Sequence, residues 1–215
     1  MTATVPLVNR AAGDLLTTTL WNTYVVANVN KLLNQAHRKV TVAQFAALTG
    51  IEDGYEVYLE VDATNGVEWH LVYRTAEATY KWRFLGWPPM ASAVATSEST
   101  VSASFAALAT AGPSITLPRA GDYAVEHGAT IQADANGAQC YHSYDIGVTG
   151  AVVADAVYLI QPVGANAMYA NVWRRKRQTG LTAIALVSKY KTSAGTAYFI
   201  NRALYVHPVR LRHDA

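Results

Sequence analysis

Period-two alternation in three segments between positions 55 and 84 constrains this chain more than any other feature of its sequence. Every second position is apolar in YEVYLEV, VEWHLVY and YKWRF, and the positions between are mostly polar. A period of two places one set of side chains on a buried sheet face and the other on a solvated face. The intervening segments DATNG and TAEA are typical of turns, so we expect a meander of three antiparallel strands.

The meander carries a high density of large aromatic side chains. A three-stranded sheet has too little area to be stable alone, and each large aromatic buries about 150–250 Å². We therefore expect Trp69 and Trp82 to be core residues. Trp87 follows Gly86 and precedes two prolines, where a strand has to end. Trp87 is accordingly a candidate for contact with a ligand, another domain or another chain.

Upstream of the meander, residues 1–36 show apolar residues at helical spacing. We expect a short amphipathic helix that anchors or oligomerises the protein. The stripe of this helix comprises Leu20, Trp21, Tyr24, Val25, Asn28, Val29 and Leu32. Asn28 stands where a coiled-coil seam would place a core residue, and a buried asparagine can fix helix register. The alternative is a helix that lies on its own domain or on a neighbour.

Downstream of the meander, the sequence indicates a linker and a second β domain. Residues 91–100 are small and polar, which is typical of a linker between a meander domain at 37–90 and a third zone at 101–215. Gly, Pro or Asn clusters separate most of its candidate strands, and this spacing predicts an antiparallel, jelly-roll-like β-sandwich. The candidates cover 101–108, 121–133, 138–148, 156–163, 169–178, 182–191 and 196–211. The chain is predicted to be mainly β.

Residues that carry chemistry are scattered. The six histidines lack metal-ligand spacing, and the sequence contains no phosphate loop, dinucleotide fingerprint or nucleophile elbow. Cys140 and His142 alternate on one strand, but nothing supplies the orienting third group of a nucleophilic site. We expect no enzymatic activity, no cofactor and no metal site. The single cysteine rules out an internal disulfide.

Positive charge is concentrated in one run of four residues. The run comprises Arg174, Arg175, Lys176 and Arg177, beside Trp173. On a strand, Arg175 and Arg177 would share the face of Trp173. The run either protects a strand edge from aggregation or meets an anionic partner. That partner would be a surface glycan or the acidic residues 52–77 of an adjacent subunit; a net charge of +2 and the lack of a binding module disfavour nucleic acid.

The segment AAGDLLTTTLWNTYVVANVNKLL resembles the opening of many tailed-bacteriophage virion proteins, which begin with a Thr-Gly-Asp-Leu-Ile-Thr-Ala-like phrase followed by Trp-Asn and a short helix. The matching positions are Gly13, Asp14, Leu15, Thr17, Trp21, Asn22 and Asn28, whereas Ala12 and Thr19 depart from the phrase. DGYEVYLEVDATNGVEWHLVYR and YKWRFLGWPPM resemble the next region, with Trp87 where a second glycine is usual. GPSITLPRAGDYAVEHGA and ALYVHPVRLR resemble the sandwich region.

Members of this family are mostly minor tail, fibre or head-surface proteins. The resemblance implies a non-enzymatic virion protein, a homotrimer that contacts capsid or tail proteins through residues 1–36. Its exposed sandwich would bind a host glycan from the tail, or decorate the head. The lack of a signal peptide and of a membrane span agrees with assembly of virions in the host cytoplasm. The alternative from a different class is a monomeric carbohydrate-binding module.

Overall fold

The computed structural model describes Val25, Val26, Val29 and residues 38–164 and 168–212. Within these residues, thirteen strands form one nine-stranded and one four-stranded sheet, so the protein is mainly β as predicted. The larger sheet contains β1 (Arg38–Thr41), β2 (Glu56–Asp62), β3 (Val67–Tyr73), β4 (Trp82–Gly86), β5 (Met90–Val94), β6 (Glu98–Thr100), β8 (Gly121–Ala133), β11 (Met168–Leu181) and β13 (Ala197–Leu211). The smaller sheet contains β7 (Ser114–Thr116), β9 (Gln139–Ile146), β10 (Val157–Ile160) and β12 (Ala185–Thr192).

Most of the predicted N-terminal helix lies outside the described residues. This applies to Leu20, Trp21, Tyr24, Asn28 and Leu32. A different short helix, α1 (Val42–Ala46), begins at a capping box in which the Thr41 hydroxyl accepts from the Gln44 amide and the Gln44 side chain accepts from the Thr41 amide. No described helix is long and apolar enough to cross a membrane.

The predicted meander is present as β2, β3 and β4, with β3 paired antiparallel to both neighbours. Asp62 closes the first turn by accepting from the amide and the side chain of Asn65, at 3.0 and 2.7 Å. Trp69 and Trp82 are buried, which confirms their prediction as core residues. The Trp69 indole Nε1 also donates to the Pro88 carbonyl at 3.1 Å and so fixes the segment that follows β4.

The segment predicted to be a linker, residues 91–100, instead contributes most of β5 and all of β6, which pair antiparallel with β13. In β5, Met90 is buried whereas Ala91 and Ala93 are exposed, so the segment alternates as a strand does. Small side chains conceal this alternation in the sequence, because alanine and serine have little preference for strands. The larger sheet therefore continues from the meander into β13, β8 and β11.

Six of the seven strands predicted in the third zone are present as β8 to β13. The strand predicted at 101–108 is wrong, because this segment forms only an isolated bridge between Ala106 and Tyr190. Ser102 explains the difference: its amide donates to the Thr100 hydroxyl at 3.0 Å and its own hydroxyl donates to the Ser104 carbonyl at 2.7 Å. Local bonds of this kind compete with strand pairing.

The two sheets enclose a core with two clusters of buried side chains. The first cluster joins the meander to the sandwich and includes Val57, Trp69, Tyr123, Tyr144 and Leu204. The second lies between β8 and β13 on one side and the smaller sheet on the other, and includes Ile131, Cys140, Tyr190 and Phe199. Burial of one face of each sheet provides the main driving force for folding in such a sandwich. On the opposite, outer face of the larger sheet, described residues such as Ala91, Ala93 and Trp173 are exposed.

Candidate ligand-binding face

β11 lies at one edge of the larger sheet, and its basic run alternates between the two sheet faces. Arg174 and Lys176 point inward. Arg174 Nη1 donates to the Ala156 carbonyl at 3.0 Å, and Lys176 Nζ forms an ion pair with the buried Asp155 carboxylate. These two cations therefore attach β11 to the segment that precedes β10.

Trp173 lies on the outer face of β11, directly opposite Gly128 of β8. A methyl group on Gly128 would come within 2.4 Å of the indole ring, so the lack of a side chain lets the ring lie over the backbone of β8. The ring centroid of Tyr205, on β13, is 6.0 Å from that of Trp173. Trp173 nevertheless remains 48% exposed. We name Trp173 and Tyr205 the aromatic platform.

The residues beside the aromatic platform have small side chains, which project little above the backbone of the sheet. Ala203 on β13 lies opposite Gly128, and Ala91 and Ala93 on β5 lie opposite Tyr205 and Ala203. Ala91 and Ala93 are both exposed. No large side chain of β5 therefore rises next to Tyr205, and a flat ligand has room there.

Arg175 is exposed on the outer face and forms no ion pair with a carboxylate in the described part of the chain. It stands opposite Glu126 in the strand register, but the two side chains form no ion pair, and the Glu126 carboxylate lies 3.7 Å from His207 Nε2. Burial, and then the charge of Arg175, lower the pKa of His207, so this imidazole is neutral at pH 7. Arg175 is thus exposed and outside ion-pair distance of the described carboxylates, so its guanidinium can pair with an external anion.

Arg177 shares the outer face but is held by a buried carboxylate. Asp122, which is fully buried, accepts from Arg177 Nη2 at 2.8 Å and from Arg210 Nε at 2.7 Å. Its second oxygen accepts from the Gly180 amide at 2.9 Å and the Tyr80 hydroxyl at 3.2 Å. Burial acts to raise the pKa of Asp122, but these hydrogen bonds, led by that from Arg177, outweigh it and keep the pKa below its ordinary value. Asp122 therefore connects β11, β13 and the approach to β4.

Trp87 lies elsewhere, in a groove of about 660 Å³ where β4 separates from β13. These two strands pair at Trp82 and Leu211, after which β4 continues along β3. Trp87 is 45% exposed, and its ring is 5.6 Å from that of Phe84. Because β13 and β8 lie between β4 and β11, the structure does not bring Trp87 and Trp173 into one site.

The thiol and imidazole that the sequence placed on one strand are both buried. Cys140 Sγ lies 3.7 Å from the Thr192 hydroxyl, and His142 Nε2 lies 3.1 Å from the Ser188 hydroxyl. Burial raises the pKa of Cys140 and lowers the pKa of His142 well below its ordinary value. Both groups are therefore neutral and enclosed, and neither is presented to a substrate.

Four acidic residues of the meander, Asp53, Glu60, Glu68 and Glu77, pair with lysine or arginine of the same chain. Lys39 Nζ lies 2.8 Å from Glu60 and 2.6 Å from Glu68. Further pairs join Glu56 to His70, Asp53 to Arg74 and Glu77 to Arg83. This pairing reduces the acidic charge that the meander could offer to the basic run of an adjacent subunit.

Sequence analysis does not single out Gly128 or Tyr205, which complete the outer face. A glycine inside a strand often marks a close approach to the backbone, so Gly128 within YAVEHGATIQA carries a usable signal. Tyr205 carries none, because only the pairing of β8 with β13 and β11 brings it beside Trp173.

No protein-family profile matches this chain, and no curated protein is significantly similar to it. Similar solved structures include dimeric latent PorU from Porphyromonas gingivalis, with a TM-score of 0.32 and 9% identity over 58% of this chain and 13% of that chain. The structure of the infectious bursal disease virus Gx strain has a TM-score of 0.33 and 13% identity over 68% of this chain and 44% of that chain. TmCBM61 in complex with β-1,4-galactotriose has a TM-score of 0.26 and 13% identity over 68% of this chain and 84% of that chain. This chain thus spans less than half the length of the PorU chain and of the bursal disease virus chain. At such TM-scores the similarity carries no functional argument.

Proposed function

We propose that this protein is a non-enzymatic surface protein of a tailed-bacteriophage virion, a homotrimeric fibre or spike that residues 1–36 anchor to other virion proteins. The observation that carries the proposal is the resemblance of residues 11–33 to the opening phrase of such proteins. The order of a meander followed by sandwich strands, as the same resemblance implies, supports it. The protein would expose the outer face of its larger sheet.

A role in binding or assembly agrees with where the polar chemistry lies. Cys140, His142 and His127 are enclosed in the core and are not placed in a cleft. The outer face instead presents the aromatic platform and the Arg175 guanidinium, which suit contact with a partner molecule.

Immunogold electron microscopy tests the proposal, with particles of the encoding phage and antibody raised against residues 91–215. Label at the tail tip is expected if the protein binds the host. Label over the head would instead assign it to capsid decoration, with the outer face turned toward the shell or toward solvent. Particles without label would overturn the virion assignment.

The second candidate is a monomeric carbohydrate-binding module, which the exposed aromatic platform favours. Deletion of residues 1–36 separates the two candidates. An assembled virion protein should lose its trimeric mass and its incorporation into particles. A monomeric module should keep both its mass by light scattering, apart from the deleted residues, and its affinity for sugar.

A further inference from the structure

We infer that the outer face binds an anionic saccharide, which stacks on the aromatic platform and pairs its acidic group with Arg175. This inference rests on the proposed function and deepens it, since it names the chemistry of the ligand that the exposed face would hold. The ligand class is a pyranose ring that bears a carboxylate, sulfate or phosphate group.

The aromatic platform supplies the first part of this site. One side of the Trp173 indole packs against the backbone of β8 at Gly128, while almost half of the Trp173 side chain remains accessible. The C–H groups on one face of a pyranose ring form an apolar surface that an aromatic ring can cover. Trp173 and Tyr205 are rigid side chains with few rotatable bonds, so stacking on them costs little conformational entropy.

Arg175 supplies the second part. Arg175 lies two residues after Trp173 on β11, so its side chain points to the same side of the sheet. Its planar guanidinium matches the geometry of a carboxylate, sulfate or phosphate and can donate two parallel hydrogen bonds. Arg177 is also half exposed, but Asp122 already balances part of its charge. A neutral sugar would offer no charge to the Arg175 guanidinium.

Charge distribution favours a saccharide over other anionic partners. Nucleic acid binding requires several phosphate contacts in a row, whereas two of the four cations of the run are turned inward toward Ala156 and Asp155. A second copy of this chain would have to offer carboxylates, and four of those of the meander already pair with lysine or arginine of the same chain. The Arg175 guanidinium beside the two rings of the aromatic platform fits a small acidic sugar unit better than it fits nucleic acid or a second copy of this chain.

The test measures binding of the purified full chain to matched acidic and neutral glycans. The acidic members are polygalacturonate, dextran sulfate and phosphomannan, and the neutral members are methyl-esterified polygalacturonate, dextran and mannan. We expect binding to at least one acidic member and none to its neutral counterpart. Trp173→Ala should weaken that binding by about tenfold or more, and Arg175→Gln by about five- to tenfold.

Two matched control variants lie outside the proposed site. Trp87→Ala removes a tryptophan of similar exposure from the groove beside β4, and Arg83→Gln removes an arginine that pairs with Glu77. Both should bind acidic glycan as the wild type does. Because Trp173→Ala could loosen β11, Arg175→Glu serves as a second disabling variant, and circular dichroism melts verify that each variant is folded.

Four results would overturn the inference: no binding to any acidic glycan, equal binding to the neutral glycans, loss of binding in Trp87→Ala but not in Trp173→Ala, or stronger binding to a single-stranded oligonucleotide. Failure here is distinct from failure of the proposed function. Labelled virions without glycan binding would remove this site alone. Glycan binding that needs Trp173, together with unlabelled virions, would remove the virion assignment and keep the site.

Discussion

Asp122 and Arg177 form an ion pair of 2.8 Å in which the carboxylate is fully buried and the guanidinium is half exposed. The same carboxylate also holds Arg210, from β13. A strand at the edge of a sheet is paired on one side only, so side-chain anchors matter more for it than for a central strand. This arrangement fixes the C-terminal half of β11, and with it the direction in which Trp173 and Arg175 point.

Asp122→Asn should lower the free energy of unfolding by about 1–3 kcal/mol, because a neutral amide accepts less strongly from two arginines and one buried acceptor oxygen is lost. Urea denaturation measures the change. Glu77→Gln, which disrupts an exposed pair with Arg83, is the control and should cost less than about 1 kcal/mol. Equal effects of the two substitutions would contradict a special role for Asp122.

The packing of the Trp173 ring against Gly128 can be tested by adding one methyl group at Gly128. Gly128→Ala should destabilise the protein by about 1–3 kcal/mol, since the new Cβ would overlap both the Trp173 ring and the Val172 carbonyl. Combining it with Trp173→Ala should recover part of this loss, because one of the two overlaps disappears. A double-mutant cycle by urea denaturation gives the coupling; purely additive effects would mean that the ring does not rest on Gly128.

The meander illustrates what can be predicted from sequence. Alternation in residues 55–84 is evident because apolar side chains, most of them large, occupy every second position of each strand, and Trp69 and Trp82 are buried as expected. In β5 the outward positions are alanines, so the same alternation leaves almost no contrast between the two faces. Period-two patterns therefore reveal a strand only where side chains differ strongly in polarity or size.

The sequence predicts that the basic run divides between the two sheet faces, but not which of its cations are bound within the protein. The two-sided division of the basic run follows from strand geometry alone. Which of its members would be used internally depends on Asp122 and Asp155, which lie 55 and 21 positions away in sequence from Arg177 and Lys176. Pairing between residues so distant is set by strand order, and no local pattern reports it.

Acid should destabilise the fold through its buried histidines. Burial lowers the pKa of His127 to about 4 and that of His142 well below its ordinary value, which for both is near 6.5 when the chain is unfolded. Below pH 6.5 the unfolded chain therefore binds protons that the folded protein excludes, and stability falls as the pH decreases toward 4. For His127 alone the loss approaches about 3 kcal/mol at 1.36 kcal/mol per pKa unit.

Urea denaturation between pH 7.5 and 5 checks this expectation. Carboxylates with lowered pKa, such as Asp122, lose their contribution only near and below their ordinary pKa of about 4, so this pH range isolates the histidines. His127→Phe should reduce the slope of stability against pH. Constant stability from pH 7 to 5 in the wild type would show that the two imidazoles are not held neutral.

The last prediction concerns Arg202, which is fully buried on β13. Its Nη2 lies 3.2 Å from the Glu98 carboxylate on β6, and its Nη1 donates to the Thr110 carbonyl at 3.3 Å. The guanidinium also lies over the Tyr190 ring, 5.5 Å from its centroid. One side chain thus fastens the segment between β6 and β7 to the sandwich.

Arg202→Met should reduce the free energy of unfolding by about 3 kcal/mol or more, since removing one partner of a buried pair leaves the other without its countercharge. Limited proteolysis should at the same time cut within residues 95–113, which lose their anchor. Adding Glu98→Gln should restore part of the stability, because the unpaired carboxylate is then gone. If Arg202→Met instead matched the exposed control Arg83→Gln in both assays, the anchoring role would be wrong.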